Sequence, residues 1–228
     1  MREGFKKWFR RTSRKMTMVE DVRKGRHQIL SDAEILHAAF LAFASSGFDS
    51  MSVRNLNAQL GLSHETVRQR FGSKLDLYYA AIDHGVAQFY AILAEERTKL
   101  PEAAGDLEEL RATARSFITA SMRFPELASV VNSEAAGTSE RLDYIFRSGF
   151  EPGMSLIVDL LNRLIAEGVI YPTTIRDAFF IIDAGLSPFA QSGLSRAFDA
   201  MAGPLDEDAH VDRFLDFVFR GLTTSRAT

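Results

Sequence analysis

Serine, glycine and proline divide this sequence into segments whose apolar residues recur at helical spacing, and this punctuation restricts the possible folds more than any other feature. In the segment that begins at Ser31, for example, Ile35, Ala39 and Phe43 recur every four positions. Alternation of apolar and polar residues is rare, and no hairpin turn separates two β-branched runs. The sequence therefore predicts an all-α protein.

Capping residues mark several expected helix starts. Ser31 and Glu34 have the spacing of a capping box, in which each side chain bonds the free backbone N–H of the other residue. Ser73 is followed at the same spacing by Asp76. We expect helices at Ser31–Gly47, at Val53–Leu60, from His64 (capped by Ser63) to Arg70 or Phe71, and from Lys74 to near Leu100. Further helices are expected at 106–123, 126–136, 139–167, 173–191 and 207–222.

Two prolines fall inside these expected helices. Pro152-Gly153 should kink or split the segment 139–167, because proline lacks a backbone N–H and its ring clashes with the preceding turn. Pro188 should do the same near the end of 173–191.

Charge is distributed unevenly along the chain. Residues 1–30 contain ten Lys or Arg and three Asp or Glu, whereas residues 75–228 contain 13 basic and 23 acidic residues. The 44 residues between them carry four of each sign. A basic segment ahead of an acidic body indicates that only one end of the chain meets a polyanion.

The stretch Ser52–Phe71 has the pattern of a helix-turn-helix. The turn Gly61-Leu62-Ser63 separates two short helices, and a tight turn with glycine sets them at a steep angle. The second helix can then project into a DNA groove. The residues expected to face the core are Val53, Leu56, Leu60, Leu62, Val67 and Phe71.

The opposite face of the second short helix is polar. Glu65 and Gln69 point most nearly outward, with Thr66 and Arg68 beside them and His64 in the first turn. Arginine and glutamine can form paired hydrogen bonds with guanine and adenine, respectively. From spacing alone, a helical protein that never touches DNA remains the alternative.

Three further polar residues, Ser52, Ser63 and Lys74, stand at helix starts. Free backbone N–H groups and the helix dipole favour phosphate at such positions. The expected interface therefore combines base-reading and phosphate-binding side chains.

Several spaced segments together resemble the N-terminal domain of TetR-family transcriptional regulators. Ile35–Phe48 resembles the first helix of that domain, and Ser52–Leu56 resembles the start of the second. Gly61-Leu62-Ser63 with Thr66-Val67 resembles the turn and recognition helix, and Phe71-Gly72-Ser73-Lys74 resembles the junction to the fourth helix. The resemblance covers about residues 31–80.

The resemblance implies a role for eight of these residues in binding DNA. Phosphate contacts are implied for Ser52 and Lys74. Base-edge or backbone contacts are implied for His64, Glu65, Thr66, Arg68, Gln69 and Arg70. We divide the chain into a basic, partly disordered arm (1–30), a helix-turn-helix DNA-binding domain (31–76) and a helical ligand-binding and dimerisation domain (77–228).

The segment 139–195 resembles, more loosely, a C-terminal domain of such regulators. This resemblance implies a homodimer in which the last two long helices of each copy form a four-helix bundle. An ordinary monomer core is the alternative reading of the same apolar faces. The residues expected at the interface are Phe179, Ile182, Leu186, Phe189, Phe214, Leu215 and Val218.

Aromatic residues of the body suggest a pocket for a small-molecule effector. A pocket lined by apolar side chains between helices would suit a hydrophobic or aromatic ligand, whereas a filled core is the alternative. The residues expected to line it are Phe117, Met122, Phe124, Tyr144, Phe146 and Phe150.

Enzymatic function is not expected. The sequence contains no Walker phosphate loop, no Gly-x-Gly-x-x-Gly, no Gly-x-Ser-x-Gly and no His-Glu-x-x-His, and its five histidines are widely scattered. No cysteine is present to act as a nucleophile or thiolate ligand. We therefore expect no catalytic residues, no metal and no cofactor.

The expected location is the cytoplasm. The absence of cysteine fits a reducing compartment, and the basic N-terminus lacks the apolar stretch of a secretion signal. The longest strictly apolar run, Ala38–Ala44, is shorter than the roughly 20 residues of a membrane span. Stable membrane insertion is therefore not expected.

The function expected from the whole sequence is a homodimeric repressor that leaves palindromic double-stranded operator DNA when it binds a small apolar effector. The alternative is a membrane-surface protein, or a DNA-binding protein without a ligand, that uses the N-terminal arm. In that arm Phe5, Trp8 and Phe9 interleave with lysine and arginine, which suits either a membrane surface or a phosphate backbone.

Overall fold

The computed structural model describes residues 30–136 and 139–224. The predicted basic arm lies outside the described residues except for its last residue, Leu30. The helices are α1 (Asp32–Ser50), α2 (Val53–Gln59), α3 (Thr66–Phe71), α4 (Lys74–Lys99), α5 (Asp106–Arg123), α6 (Pro125–Ala135), α7 (Glu140–Ile145), a π-helical segment (Phe146–Phe150), α8 (Glu151–Ala166), α9 (Ile175–Ala184), α10 (Ser187–Ala190), α11 (Ser192–Ala197), α12 (Asp199–Ala202) and α13 (Glu207–Leu222).

The prediction of an all-α protein is confirmed. The described part of the chain contains no β-strand, and one isolated antiparallel bridge joins Ile170 to Thr223. None of the helices within 30–136 and 139–224 is both long enough and apolar enough to span a bilayer.

The helices group into two compact units. The first comprises the described residues up to Ala91 together with Phe124–Glu151, and the second comprises Ile92–Arg123 together with the described residues from Pro152 onward. Compactness thus groups α6 and α7 with the helix-turn-helix. The predicted domain boundary near residue 76 remains a prediction.

Aromatic contacts organise the core of the first unit. Phe40 stacks on Phe124 with ring centroids 5.4 Å apart, and Phe43 meets Tyr78 edge to face at 4.9 Å. Gly85 faces Phe40 so closely that a Cβ atom would lie 2.3 Å from the ring. Glycine inside α4 therefore allows the Phe40 ring of α1 to pack against the helix.

The core of the second unit is mainly aliphatic and is built from α5, α8 and α13. Arg111 pairs with Asp216 and Arg115 with Asp212 at the exposed edge of the α5–α13 contact. Exposed pairs of this kind add little stability, so burial of the apolar residues holds this unit together. The fully or nearly buried members are Leu110, Ala114, Ile118, Leu160, Leu161, Leu164, Ile170, Val211, Leu215 and Phe219.

Most of the expected helix starts are confirmed, but Ser63 is an exception. The capping box of Ser31 and Glu34 is complete, and the N–H of Ser73 donates to Asp76 Oδ2 at 2.9 Å. The Ser63 hydroxyl instead pairs with the Thr66 hydroxyl at 2.7 Å, and α3 begins at Thr66, two residues later than expected. The prediction that Ser63 caps this helix is therefore wrong.

The break expected at Pro152-Gly153 lies a few residues earlier. The π-helical segment Phe146–Phe150 precedes α8, and Pro152 occupies the first turn of α8. Pro152 has no N–H to donate, and the N–H of Glu151 directly before it donates to the carbonyl of Phe146. The predicted helix 139–167 is therefore interrupted by a π-helical segment directly ahead of the proline.

The segment expected to form one helix over 173–191 is divided. The helix α9 ends at Ala184, and Pro188 lies in the first turn of the short α10, as expected of a proline that interrupts a helix. The short helices α11 and α12 follow, in a region where no helix was expected. Helices of four to six residues show too little periodicity to be recognised in a sequence.

Candidate nucleic-acid interface

Gly61 and a backbone hydrogen bond set the turn between α2 and α3. Gly61 has φ +64°, a left-handed conformation that residues with a Cβ atom rarely adopt. The N–H of Leu62 donates to the carbonyl of Asn57 at 2.8 Å and closes the turn. The sequence therefore folds locally into the helix-turn-helix that its spacing predicted.

Asn57 fixes the position of α3. Its side chain is fully buried, its Nδ2 donates to the carbonyl of His64 at 3.0 Å, and its Oδ1 accepts from the N–H of Val67 at 3.3 Å. A buried amide with both ends bonded specifies one geometry, because any shift of α3 would leave a polar group unpaired. Sequence reasoning missed Asn57, although a polar residue one helical turn after Val53 on the apolar side of α2 was a possible signal.

The outward side of α3 carries the side chains that sequence analysis placed there. His64, Glu65, Arg68 and Gln69 are exposed, and Thr66 is half-buried. Val67 is buried beneath them. The predicted base-reading residues thus lie together on and just before one short helix, above an apolar anchor.

Arg70 differs from its neighbours because it is held within the chain. Its guanidinium donates to the carbonyl of Leu30 at 2.7 Å and pairs with Asp32. These contacts join the end of α3 to the start of α1. Arg70 is therefore placed to fix α3, and its predicted DNA contact remains a prediction.

Lys74 and Ser52, the predicted phosphate ligands, also have partners within the chain. Lys74 Nζ donates to the carbonyl of Asp49 at 3.1 Å and lies 4.8 Å from the centroid of the Phe48 ring. The hydroxyl of Ser52 accepts from the N–H of Asn55 at 3.3 Å and caps α2. Both side chains are half-buried, so the hydroxyl of Ser52 acts mainly as a cap.

The segment that runs from α1 through α2 and α3 to the start of α4 matches a known family. Residues 35–81 match the family model of bacterial regulatory proteins of the tetR family. This chain carries the TetR-family domain. The recognition made from the sequence is confirmed over these residues.

Solved structures share the fold of this chain beyond the TetR-family domain. A candidate fatty acid metabolism regulator of Clostridium perfringens is 18% identical with a TM-score of 0.64, covering 84% of this chain and 99% of that one. AibR in complex with isovaleryl coenzyme A and operator DNA is 18% identical with a TM-score of 0.62, covering 81% and 96%. The ketosteroid transcriptional regulator of Mycobacterium tuberculosis is 19% identical with a TM-score of 0.57, covering 89% and 100%.

At these identities the likeness shows a common fold. The chain has no match among curated proteins. The fold of a TetR-family domain followed by a larger helical part is nevertheless confirmed.

A buried ion pair lies next to the TetR-family domain's first helix, within the first unit. Arg141 Nε donates to both carboxylate oxygens of Glu134 at 2.9 and 3.0 Å, and Glu134 also accepts from the hydroxyls of Tyr78 and Ser139. The guanidinium of Arg141 lies 4.2 Å from the centroid of the Phe48 ring. Burial, and then the charge of Glu134, raise the pKa of Tyr78, so its hydroxyl remains a donor.

The residues predicted to line an effector pocket are distributed over both units. Phe124 stacks on Phe40 in the first unit, whereas Phe117 packs edge to face on Phe179 in the second. Met122 also belongs to the second unit, while Tyr144, Phe146 and Phe150 belong to the first. Tyr144 lines a cavity of the first unit together with Tyr79 and residues of α7. The predicted pocket remains a prediction.

The residues predicted at the dimer interface lie against the core of the second unit. Leu215 is buried within that core, and no side-chain surface is left for a partner. The expectation for Leu215 is therefore corrected to a core role. The other six are half-buried: Ile182, Leu186, Phe189, Phe214 and Val218 pack on the same core, and Phe179 packs edge to face on Phe117.

The exposed apolar residues of the same helices are different ones. Phe180 on α9 is 64% exposed, and Phe217 on α13 is 80% exposed. Leu194, Phe198 and Met201 on α11, α12 and the residue between them are also exposed. Sequence reasoning missed these residues because periodicity identifies an apolar face but not which of two neighbouring faces meets the core.

Proposed function

We propose that this protein is a dimeric repressor that reads a palindromic operator with α3 and is released by a small apolar effector. The observation that carries the proposal is the exposed row of Glu65, Arg68 and Gln69 on a helix held in one position by Asn57. Its location within the match to the TetR-family domain supports a role in DNA binding.

Base reading would depend on Arg68 and Gln69. Both side chains are exposed, and neither has a hydrogen-bond partner among the described residues. Arginine bonds the O6 and N7 of guanine in a pair, and glutamine bonds the N6 and N7 of adenine. Glu65, beside them, can accept from the N4 amine of cytosine or repel unsuitable sites.

Dimerisation through α9 and α13 is supported by their exposed phenylalanines. Phe180 and Phe217 each expose most of an aromatic side chain to water, and their burial between two copies would be favourable. A symmetric pair of helix-turn-helix domains would match two half-sites roughly 34 Å apart. The half-buried residues of the same helices, such as Phe179 and Phe214, would complete the interface.

An effector with an apolar part is supported by the descriptions of two structures with a similar fold. One structural neighbour is named for ketosteroids, and another contains isovaleryl coenzyme A together with operator DNA. An effector that binds better to a conformer with a different half-site spacing would lower operator affinity by linkage. The long helix α4 begins at Lys74, a predicted phosphate ligand, and is the covalent route for such coupling.

Selection of bound sequences from a random DNA library would test the proposal. We expect a palindrome with half-sites about one helical turn apart. Arg68→Ala and Gln69→Ala should each reduce the discrimination between this palindrome and random DNA by roughly 1–3 kcal/mol.

Arg147→Ala is the matched control, because Arg147 is equally exposed but lies far along the sequence from α3. Discrimination by this variant should equal that of the unaltered protein. Folded protein that enriches no sequence would contradict the proposal, and so would equal losses in the control and in the α3 variants.

A further inference from the structure

We infer that an open cavity beside α7 in the first unit binds a small organic cation. The cavity has a volume of about 460 Å³ and is lined by Tyr79, Glu140, Asp143, Tyr144, Arg147 and Ser148. All six residues belong to one compact unit. The site takes a cation, whereas the proposed effector is apolar, and Tyr144 is the one residue that its lining shares with the predicted effector pocket.

Two tyrosine rings form the aromatic part of the cavity. The centroids of Tyr79 and Tyr144 lie 4.1 Å apart, with the ring planes inclined by 32°. Both side chains are half-buried, so part of each ring remains open to the cavity. The negative face of an aromatic ring attracts a cation, and tyrosine is among the better rings for this contact.

Carboxylates supply the charge that complements a cation. Glu140 and Asp143 line the cavity three positions apart on α7, and neither forms an ion pair with another described residue. A third carboxylate, Asp83, accepts a 2.9 Å hydrogen bond from the Tyr144 hydroxyl. Two lining carboxylates against the single guanidinium of Arg147 leave a negative potential, which disfavours an anionic ligand.

The wall of the cavity is held in place by its neighbours. The hydroxyl of Tyr90 donates to the carbonyl of Gly149 at 2.6 Å and fixes the π-helical segment that carries Arg147 and Ser148. Gly149 is buried, and a Cβ atom there would lie 3.1 Å from Val86. A local π turn of this kind changes the direction of the side chains it carries, and such turns are frequent at functional sites.

Tyr144 is also held in one protonation state. Burial and the hydrogen bond to Asp83 raise the pKa of the Tyr144 hydroxyl to about 12. The ring therefore stays neutral and oriented at physiological pH. A rigid, neutral ring beside two free carboxylates is suited to an ammonium, amidinium or guanidinium group.

Benzamidine is a suitable probe, and benzamide is its neutral counterpart of nearly the same shape. Ligand-detected NMR titration of the full chain without DNA would give both dissociation constants. We expect benzamidine to bind at least fivefold more tightly than benzamide. Equal affinities, or no detectable binding of benzamidine, would overturn the inference.

The double variant E140Q/D143N locates the site. It should weaken benzamidine binding at least fivefold, because both side chains keep their size and lose their charge. The matched control is E108Q/E167Q, which removes two exposed carboxylates of the second unit. Equal weakening in both double variants would reduce the effect to overall charge and contradict a site at α7.

Tyr79→Leu distinguishes a ring contact from simple attraction between charges. The variant should weaken benzamidine binding while the circular dichroism spectrum and the melting temperature remain close to those of the unaltered protein. Unchanged affinity in this folded variant would remove the aromatic contact from the inferred site.

Discussion

At the scale of single residues, Asn57 has the largest consequence for the candidate interface. It is a buried polar residue whose side-chain amide bonds the carbonyl of His64, just before α3, and the N–H of Val67, inside α3. The exposed side chains of α3 are thus positioned by a residue whose amide bonds the backbone of this segment. In the proposed interface, specificity would depend on this hidden amide as well as on Arg68 and Gln69.

Asn57→Ala should lower the free energy of unfolding by about 2 kcal/mol, because the carbonyl of His64 and the N–H of Val67 lose their buried partner. Urea unfolding followed by circular dichroism would measure the change. Asn55→Ala on the same helix is the control, since Asn55 is exposed, and it should change stability by less than about 0.5 kcal/mol. Equal stability of the two variants would contradict the role assigned to Asn57.

Single residues also show where sequence reasoning succeeds and where it stops. The capping box of Ser31 and Glu34 is a local pattern and was predicted, because both partners lie within four positions. Ser63 has the same local signal, but its hydroxyl found a closer partner in the Thr66 side chain. The partners of Arg70 are 40 and 38 positions away at Leu30 and Asp32, and no local pattern could reveal them.

At the scale of elements, α7 is held to α6 by the ion pair of Arg141 and Glu134. Glu134 is 5% exposed, so its charge depends on Arg141 and on the two hydroxyls that donate to it. The same guanidinium covers the ring of Phe48 near the end of α1. Three elements of the first unit therefore meet at one side chain.

Arg141→Ala should lower the free energy of unfolding by about 2–4 kcal/mol, because it leaves the carboxylate of Glu134 buried without its cation. Chemical denaturation would measure the change. Arg147→Ala on the following turn should have an effect below about 0.5 kcal/mol, since Arg147 is exposed. A loss in the Arg141 variant no larger than this control would show that the pair does not support the fold.

The end of α4 is tied to the end of α5 by a pair that responds to pH. The hydrogen bond from Arg123, and then that from Lys99, hold the pKa of Glu95 at about 2, below its usual 4.5. The lowered pKa means that the stabilisation is complete above about pH 4.5 and is lost as the pH falls through about 2.

Arg123→Ala should raise the pKa of Glu95 towards its usual value, because its largest stabilising hydrogen bond is removed. An NMR titration of the Glu95 side chain would measure this pKa. Arg115→Ala in the same helix α5 is the control, since Arg115 pairs with Asp212 instead. A pKa that stays near 2 without Arg123 would contradict the assignment of the cause.

The elements show a similar limit of prediction. Long segments such as α4 and α5 were predicted closely, because several turns of apolar spacing reinforce one another. Pro152 was read as a break, and the interruption lies directly before it, in the π-helical segment. Such a segment has no sequence signature comparable to a proline or a cap.

At the scale of the whole molecule, the exposed apolar residues of the second unit matter most. The predicted interface helices were correct in their amphipathic character, but Leu215 faces the core and Phe217 faces water. Leu215 and Phe217 are two residues apart on one helix, so their side chains point in different directions. The choice between core and interface depends on packing that a single sequence does not contain.

In the proposed dimer, Phe217→Glu should separate the two copies, because a carboxylate buried between them would have no cation to pair with. Sedimentation equilibrium would measure the mass. Phe146→Glu is the control, since Phe146 is an exposed aromatic residue of the first unit, and it should leave the dimer intact. A dimer that persists in the Phe217 variant would place the interface elsewhere.

The single antiparallel bridge has a consequence for the dynamics of the second unit. The N–H of Tyr171 donates to the carbonyl of Leu222, and the N–H of Thr224 donates to the carbonyl of Val169. These two amides are more than 50 positions apart, yet neither can reach solvent deuterium unless the same two segments separate. Their hydrogen exchange should therefore slow and quicken together, as one opening event shared by the end of α13 and the turn that follows α8.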